Sequence, residues 1–411
     1  MVSLARGARP YASIWLRGQV KPCGKTRRSC VSGFLRFEAQ LSSCRRPARE
    51  KKSPRCGEWD RQSASPRFTG ERTRFSMTIR QREVKRDRLY TEGDADLKHI
   101  KDKCITTIGY GSQGHAQALN LRDSGLKVIV GNREDRFAAE ARADGFDVMP
   151  IVQAVKRADV ILFLIPDEVQ AAVYSEVEPY LREGQVLDFA SGYSVHFGLI
   201  RPLPFLDVVL TVPTCRGTVL RERIQRGQGV FGHFGVYQDY SGKARDTAMA
   251  LAKGMGLLKF GCTECSFGQE VVVNLFAESA GLGAIPQYLL TAYEVLIEAG
   301  FSAEAAYAET FYELQFFVEN LVKERLANSR QGSSTSTYLI LSKTSEVVDD
   351  HVRDNMRRML GRIQSGELVR EWNLEHLAGA PLLHQRQRAL AEHEIKDVED
   401  VFLERKKATG W

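Results

Sequence analysis

No run of about 18 consecutive apolar residues, the length a membrane-spanning helix requires, occurs in the 411-residue chain. No unit recurs at the periods of roughly 20–50 residues that mark solenoids and propellers. Zinc-site spacing is missing as well: four of the eight cysteines, Cys23, Cys30, Cys44 and Cys56, lie near the N-terminus at intervals matching no metal pattern. Cys262 and Cys265 have redox-motif spacing but no thioredoxin-like surroundings. Reduced thiols of an intracellular protein are the expectation. Acidic residues are absent before Glu38.

That last absence divides the chain. Residues 1–76 hold 18 Lys+Arg and 5 Asp+Glu, a net +13 against +7 for the whole, which leaves −6 for the remainder. A mildly acidic body thus carries a basic leader, and the overall charge argues nothing for nucleic-acid binding. The leader is rich in Arg and Ser, lacks apolar periodicity and reads as disordered. It resembles an organellar transit peptide, or is an upstream extension with Met77 as the start. The second reading places the protein in the cytoplasm, the first in a mitochondrion or plastid. The length allows two or three domains, and the hydrophobic share of 43% fits a soluble globular protein.

From Lys103 onward strands and helices alternate. Strands are expected at 104–108, 126–131, 159–165, 185–190, 207–212 and 230–236, with helices between them, including 167–181 and 241–255. This pattern predicts a mostly parallel sheet covered on both faces. After about residue 266 the strand signals stop, and 267–285, 286–299, 302–326, 346–363 and 380–402 read as helices. Ser302 is the expected N-cap of the third, and Gly332–Thr337 is expected to be a loop. The fold class is therefore an α/β Rossmann-type doubly wound sheet followed by an all-α region. Its divisions are a leader at 1–76, a dinucleotide-binding domain at 77–262 and a helical domain at 263–411.

The chemistry begins at Gly109-Tyr110-Gly111-Ser112-Gln113-Gly114. An apolar run precedes it and a helical pattern follows. Glycines there let the backbone approach a pyrophosphate, and the helix N-terminus offers it unpaired N–H groups. The second strand ends at Asn132-Arg133, with Arg136 beyond. An NAD site places an acid there, whereas arginine suits a 2′-phosphate, so NADP is favoured. Glu134 and Asp135 lie close by, and the alternative is that all four are solvated charges opening a helix.

Two carboxylate pairs stand out in the helical half. Glu309 and Glu313 share a face with Ala305, Ala306, Tyr312, Phe316 and Phe317, while Asn274 and Glu278 repeat the spacing beside Leu275 and Leu282. Carboxylates in an apolar stripe need a cation or a basic partner. Oxygen ligands from two facing helices describe a hard-metal site, with Mg2+ the natural ion. A buried Glu–Arg or Glu–Lys pair is the alternative.

Together these stretches resemble ketol-acid reductoisomerases of the short, class I type, over about residues 90–401. The resemblance rests on the glycine turn, Pro166-Asp-Glu-Val-Gln170, Val195-His-Phe-Gly198, Asn274-Leu-Phe-Ala-Glu278, Glu309-Thr-Phe-Tyr-Glu313 and Gly366-Glu-Leu-Val-Arg-Glu-Trp372. It implies an NADPH-binding Rossmann domain, a knotted helical domain, and a homodimer in which Glu309, Glu313 and Ser333 complete the partner's site. It further implies two Mg2+ ions that promote an alkyl shift and then hydride transfer to an acetohydroxy acid, in valine and isoleucine biosynthesis. Gly109, Tyr110, Gly111, Ser112, Gln113, Gly114, Arg133, Asp167, Glu168, Val169, Gln170 and Gly217 fall on cofactor positions. Glu278, Glu309 and Glu313 fall on metal positions, and Ser333 on a substrate position.

The reaction side departs from the family. Asn274 stands where the family has a metal-bridging Asp, Ser191 where it has a catalytic His, and Thr214 where it has a Lys. An amide is a neutral, weaker ligand for a hard cation. Three readings follow: a working ketol-acid reductoisomerase with substitutes, such as Arg216 for the lost lysine charge; a diverged NADPH-dependent 2-keto acid reductase lacking the isomerase step; or a non-catalytic NADPH-binding dimer.

Overall fold

A computed structural model describes residues 84–324 and 333–410; the leader expected at 1–76 lies outside them. Nine strands form one sheet: β1 (Leu89–Tyr90), β2 (Cys104–Ile108), β3 (Lys127–Gly131), β4 (Val148–Met149), β5 (Val160–Phe163), β6 (Val186–Phe189), β7 (Asp207–Pro213), β8 (Phe231–Gln238) and β9 (Gly261–Glu264). Their order is β1-β9-β8-β7-β6-β5-β2-β3-β4. Strands β2 to β7 run parallel, β8 and β1 pair antiparallel to β7 and β9, and β8 pairs parallel with β9. The order reverses between β2 and β5, which creates the crevice where doubly wound folds bind their ligands.

The central strands are buried along their length, as continuous apolar runs in a parallel sheet require. Alternation sends their side chains to two cores. Ile105, Leu162, Val186 and Val209 meet Ala116, Leu220 and Ala248 of the helices Ser112–Asp123, Gly217–Gln225 and Ala244–Gly254. Ile161, Phe163, Leu187, Phe189 and Leu210 meet Val155, Tyr174 and Phe267 on the other face. The six expected strands are present. β1, β4 and β9 are added; the first two span two residues each, too short for alternation to reveal. β9 runs through Glu264, so the domain boundary expected at 262 falls inside a strand. The helical region starts at Phe267, behind a capping box in which Ser266 and Gln269 satisfy each other's backbone N–H.

Among the described residues, all later elements are helical. Ser302 caps the helix Ala303–Tyr307, its side chain accepting from the Ala305 N–H. The long helix expected at 302–326 is interrupted by a π-helical turn, Ala308–Tyr312, and resumes as Leu314–Lys323. Residues 325 and 326 lie outside the described residues. The helix expected at 380–402 is two helices, Pro381–Ala391 and Ile395–Ala408. The loop expected at Gly332–Thr337 is corrected beyond Ser333, because Ser334–Ser342 is a helix. Ser333 caps it by accepting from the Ser336 N–H at 3.2 Å, and the apolar Tyr338–Leu341 turn outweighs the low helix propensity of the Ser/Thr residues. Among the described residues, no helix is long and apolar enough to cross a membrane.

Candidate functional site

The carboxyl ends of the parallel strands gather the sequence-derived residues on one edge. The glycine turn follows β2, Arg133 follows β3, Asp167 follows β5, Ser191 follows β6, and Thr214 and Gly217 follow β7. Gly109 has φ +92°, a conformation a side chain resists, and a Cβ on Gly114 would lie 2.2 Å from the Gly109 carbonyl oxygen. The turn therefore closes tightly onto the first turn of the helix Ser112–Asp123, leaving the backbone bare at that helix N-terminus.

A second loop braces the cradle. Gly217 donates its N–H to Ser112 Oγ at 3.1 Å, and Gln113 Nε2 donates to the Cys215 carbonyl at 2.8 Å. A Cβ on Gly217 would sit 1.8 Å from the Ser112 carbonyl oxygen. The bare backbone of this double turn fits a dinucleotide pyrophosphate. Tyr110 belongs to the cradle by its backbone alone. Its ring is buried, and its hydroxyl donates to Asp144 Oδ2 at 2.8 Å; burial and that carboxylate raise its pKa far above the phenol range.

The acids near the end of β3 are already engaged. Asp135 caps the helix Arg136–Ala143 by accepting from the Phe137 and Ala138 N–H groups, and Glu134 pairs with Arg142. Arg133 pairs with Asp135 yet its side chain stays 84% exposed. Arg136 is exposed and lies over the Phe137 ring. The charge offered at this end of the crevice is positive.

Asp167 and Glu168 open the helix Asp167–Val177. Burial first, then the neighbouring charges of Glu168 and Glu278, push the Asp167 carboxyl up to about 6. The Gln170 amide donates to Asp167 Oδ1 and to the Ile165 carbonyl, so its side chain braces the loop. Val169 is half-buried beside them.

The substituted positions use their hydroxyls locally. Ser191 Oγ accepts from the Tyr193 N–H at 3.2 Å, and Thr214 Oγ1 donates to the Phe231 carbonyl at 2.8 Å. Neither group replaces the basicity of an imidazole or an ammonium. Next to Ser191 stands an acid that the sequence reading passed over. Glu270, 6% exposed, accepts from the Gly192 N–H through Oε2 at 2.7 Å. Burial lifts its carboxyl to about 7, with Asp167 and Glu278 adding to the rise and the Gly192 N–H opposing it. A Cβ on Gly192 would collide with the Phe267 carbonyl at 2.2 Å, so this glycine is what admits the helix Phe267–Ser279. The available signal was that Glu270 lies four residues before Asn274 on that helix.

Asn274 and Glu278 are exposed on the same helix. Glu309 lies in the π-helical turn, Glu313 follows it, and both are exposed, as is Ser333. The expected gathering of ligands from two facing helices does not occur within one chain: among the described residues no three metal-ligating side chains cluster. What one chain does assemble is the acid group Asp167, Glu168, Glu270 and Glu278, each within electrostatic reach of another. Burial first, and then the neighbouring acids, raise the pKa values of Asp167 and Glu270, and carboxylate oxygens are the donors a hard divalent cation prefers. Cys262 and Cys265 are free, and burial pushes both thiols up to about 12, which disfavours redox chemistry.

The comparisons agree with this geometry. Residues 99–261 match the family described as acetohydroxy acid isomeroreductase, NADPH-binding domain, and residues 267–405 match the ketol-acid reductoisomerase C-terminal domain. The ketol-acid reductoisomerase (NADP(+)) of Pyrobaculum calidifontis is 42% identical over 76% of this chain and 96% of its own length. That of Methanocaldococcus jannaschii is 40% identical over the same shares. The solved structure of an NADH-preferring ketol-acid reductoisomerase from an uncultured archean superposes with a TM-score of 0.75 at 33% identity, covering 77% of this chain and 98% of that one. With a doubly braced dinucleotide turn, an acid cluster at the sheet's carboxyl edge and relatives of this similarity along both halves, the chain belongs to the ketol-acid reductoisomerase family.

Proposed function

We propose that the protein is an NADPH-dependent oxidoreductase of the ketol-acid reductoisomerase type, acting on 2-acetolactate-like acetohydroxy acids in branched-chain amino acid biosynthesis. The observation that carries this reading is the convergence of the glycine turn and the Asp167–Glu270–Glu278 acid group on one edge of the sheet. The bare backbone at Gly109–Gly114 and Gly217 holds the pyrophosphate, and Arg133 and Arg136 hold the 2′-phosphate. Asp167, Glu168, Val169 and Gln170 line the crevice that would hold the nicotinamide.

Glu278 and Asn274 are the metal-facing donors of one chain. Glu309, Glu313 and Ser333 come from a second copy, since one chain leaves them apart. A homodimer also accounts for the apolar side chains exposed along the helical region, such as Leu282 at 72%, Val322 at 78% and Leu377 at 81%. A bound divalent cation supplies polarisation of the substrate ketone and hydroxyl. The chain's own residues do the rest. Glu270, tied through Oε2 to Gly192, keeps a proton on Oε1 near neutral pH. A bound nicotinamide would supply the hydride, and Glu270 would supply the proton that the oxygen of the reduced carbonyl takes up.

The second reading is a 2-keto acid reductase without the alkyl shift. Asn274 favours it, because an amide oxygen does not bridge two cations as a carboxylate does. NADPH oxidation with 2-acetolactate and with 3-hydroxy-3-methyl-2-oxobutyrate separates the two. Turnover of both supports the isomeroreductase, turnover of the rearranged keto acid alone supports the reductase, and turnover of neither overturns both.

A further inference from the structure

We propose that Asp188 and Thr211 form a buried carboxyl–hydroxyl clasp between β6 and β7 that positions Ser191 and Thr214, each three residues beyond a clasp member. Asp188 is wholly inaccessible to solvent, as is Thr211. Neither carboxyl oxygen of Asp188 has a partner in hydrogen-bonding geometry, and the Thr211 hydroxyl has none either. The two groups nevertheless face each other. Asp188 lies on the sheet face of Val186, and Thr211 on that of Val209, which share one core. The register sets Asp188 against Val209, so Thr211 is the next residue along β7 on the same face. The Thr211 hydroxyl opposes the rise that burial causes in the Asp188 pKa.

An ionised carboxylate beside Val186, Leu162 and Val209 would be strongly disfavoured, with no cation among the described residues to offset its lost hydration. Asp188 is therefore the neutral acid, with burial holding its pKa well above the usual carboxylate range. A carboxylic acid both donates and accepts, and so does a threonine hydroxyl. The pair can satisfy itself with no other polar group. Two apolar residues would pack this core at lower cost, so the clasp contributes geometry rather than stability. What it fixes is the relative advance of two neighbouring strands. Beyond them Ser191 and Thr214 are held only by local bonds, to the Tyr193 N–H and the Phe231 carbonyl. Their separation across the crevice follows from the strands below.

This inference rests on the proposed function for its consequence, since the loops it sets are those of the proposed site. Its test therefore includes a readout independent of turnover. Hydrogen exchange is followed by mass spectrometry in peptides spanning 189–195 and 212–218 of the full chain, for wild type, Asp188→Asn, Asp188→Leu and Thr211→Val. The clasp predicts that Asp188→Leu raises exchange in both loops together by about tenfold while its melting temperature stays level or rises. Thr211→Val does the same, and Asp188→Asn, which keeps a donor and an acceptor, rescues wild-type exchange. Where wild type turns over substrate, the two clasp-breaking variants raise the substrate KM and lower kcat, with NADPH affinity unchanged.

Unchanged exchange in both loops, or a change confined to the mutated strand's own loop, would overturn the clasp. Should Asp188→Leu fail to fold, Thr211→Val against Asp188→Asn decides by the same criterion. Coupled loop exchange in a wild type that reduces neither substrate would sink the proposed activity and leave the clasp standing.

Discussion

Glu270 on the first helix of the helical region receives the Gly192 N–H from the loop after β6 at 2.7 Å. This bond, together with Phe267 in the sheet core, ties the loop after β6 to the helix that carries Asn274 and Glu278. It also fixes the backbone beside Ser191, where the family's imidazole is missing.

The Glu270 carboxyl gives the ligand-free protein a pH signature. Its folded pKa of about 7 lies above the ordinary glutamate value of 4.5, so the folded state binds the proton more tightly than the unfolded chain does. That contribution is fully present below about pH 4.5 and lost as pH rises through about 7. A shift of this size corresponds to roughly 3 kcal/mol, on the order of magnitude. Thermal melts at pH 5 and pH 8 should show the protein more stable at pH 5, and Glu270→Gln should flatten the difference. Equal slopes in the two proteins would show that Glu270 does not titrate in this range.

Gly217 tests the cofactor cradle. A methyl group there would meet the Ser112 carbonyl at 1.8 Å, and neither backbone can move without opening the turn. Gly217→Ala should weaken NADPH binding by about tenfold or more, as loss of a few hydrogen bonds to charged phosphate would. Fluorescence titration of NADPH reads this directly, and an unchanged Kd would remove the loop from the site.

The role proposed for Arg133 and Arg136 after β3 makes a prediction about cofactor preference. Because Asp135 caps a helix and Glu134 pairs with Arg142, no acid there is free for ribose hydroxyls. The double variant Arg133→Ala/Arg136→Ala should raise the KM for NADPH by about tenfold to a hundredfold, two charge-assisted contacts being lost. NADH kinetics should barely change. A parallel loss with both cofactors would mean the arginines hold the loop rather than the phosphate.

The core of this fold was legible because buried parallel strands are continuous apolar runs, and Ile105, Val160 and Val186 read as such. The glycine turn was legible because only glycine fits at Gly109 and Gly114. Glu270 was not, since an acid in a first helical turn looks like dipole compensation until burial is known. Ser334–Ser342 was misread for a related reason: its capping and its apolar turn outweigh local propensity. Glu309 and Glu313 looked gathered because a helix of regular pitch was assumed. The π-helical turn through Glu309 changes their relative direction, and one chain alone does not bring them to Glu278.

Asn274 provides the test of how many metal ions the proposed site holds. It lies on the same exposed helical stretch as Glu278, but its amide oxygen is a neutral donor beside an acid cluster that otherwise attracts cations. Calorimetric titration of the NADPH-loaded protein with Mg2+ should give one ion per chain at ordinary affinity. Asn274→Asp adds the missing carboxylate and should tighten Mg2+ binding by about tenfold or more while raising the stoichiometry toward two. It should also raise turnover of 2-acetolactate relative to the rearranged keto acid, because the alkyl shift depends on both cations more than hydride transfer does. Two ions bound by the wild type at equal affinity would show that Asn274 does not limit the site.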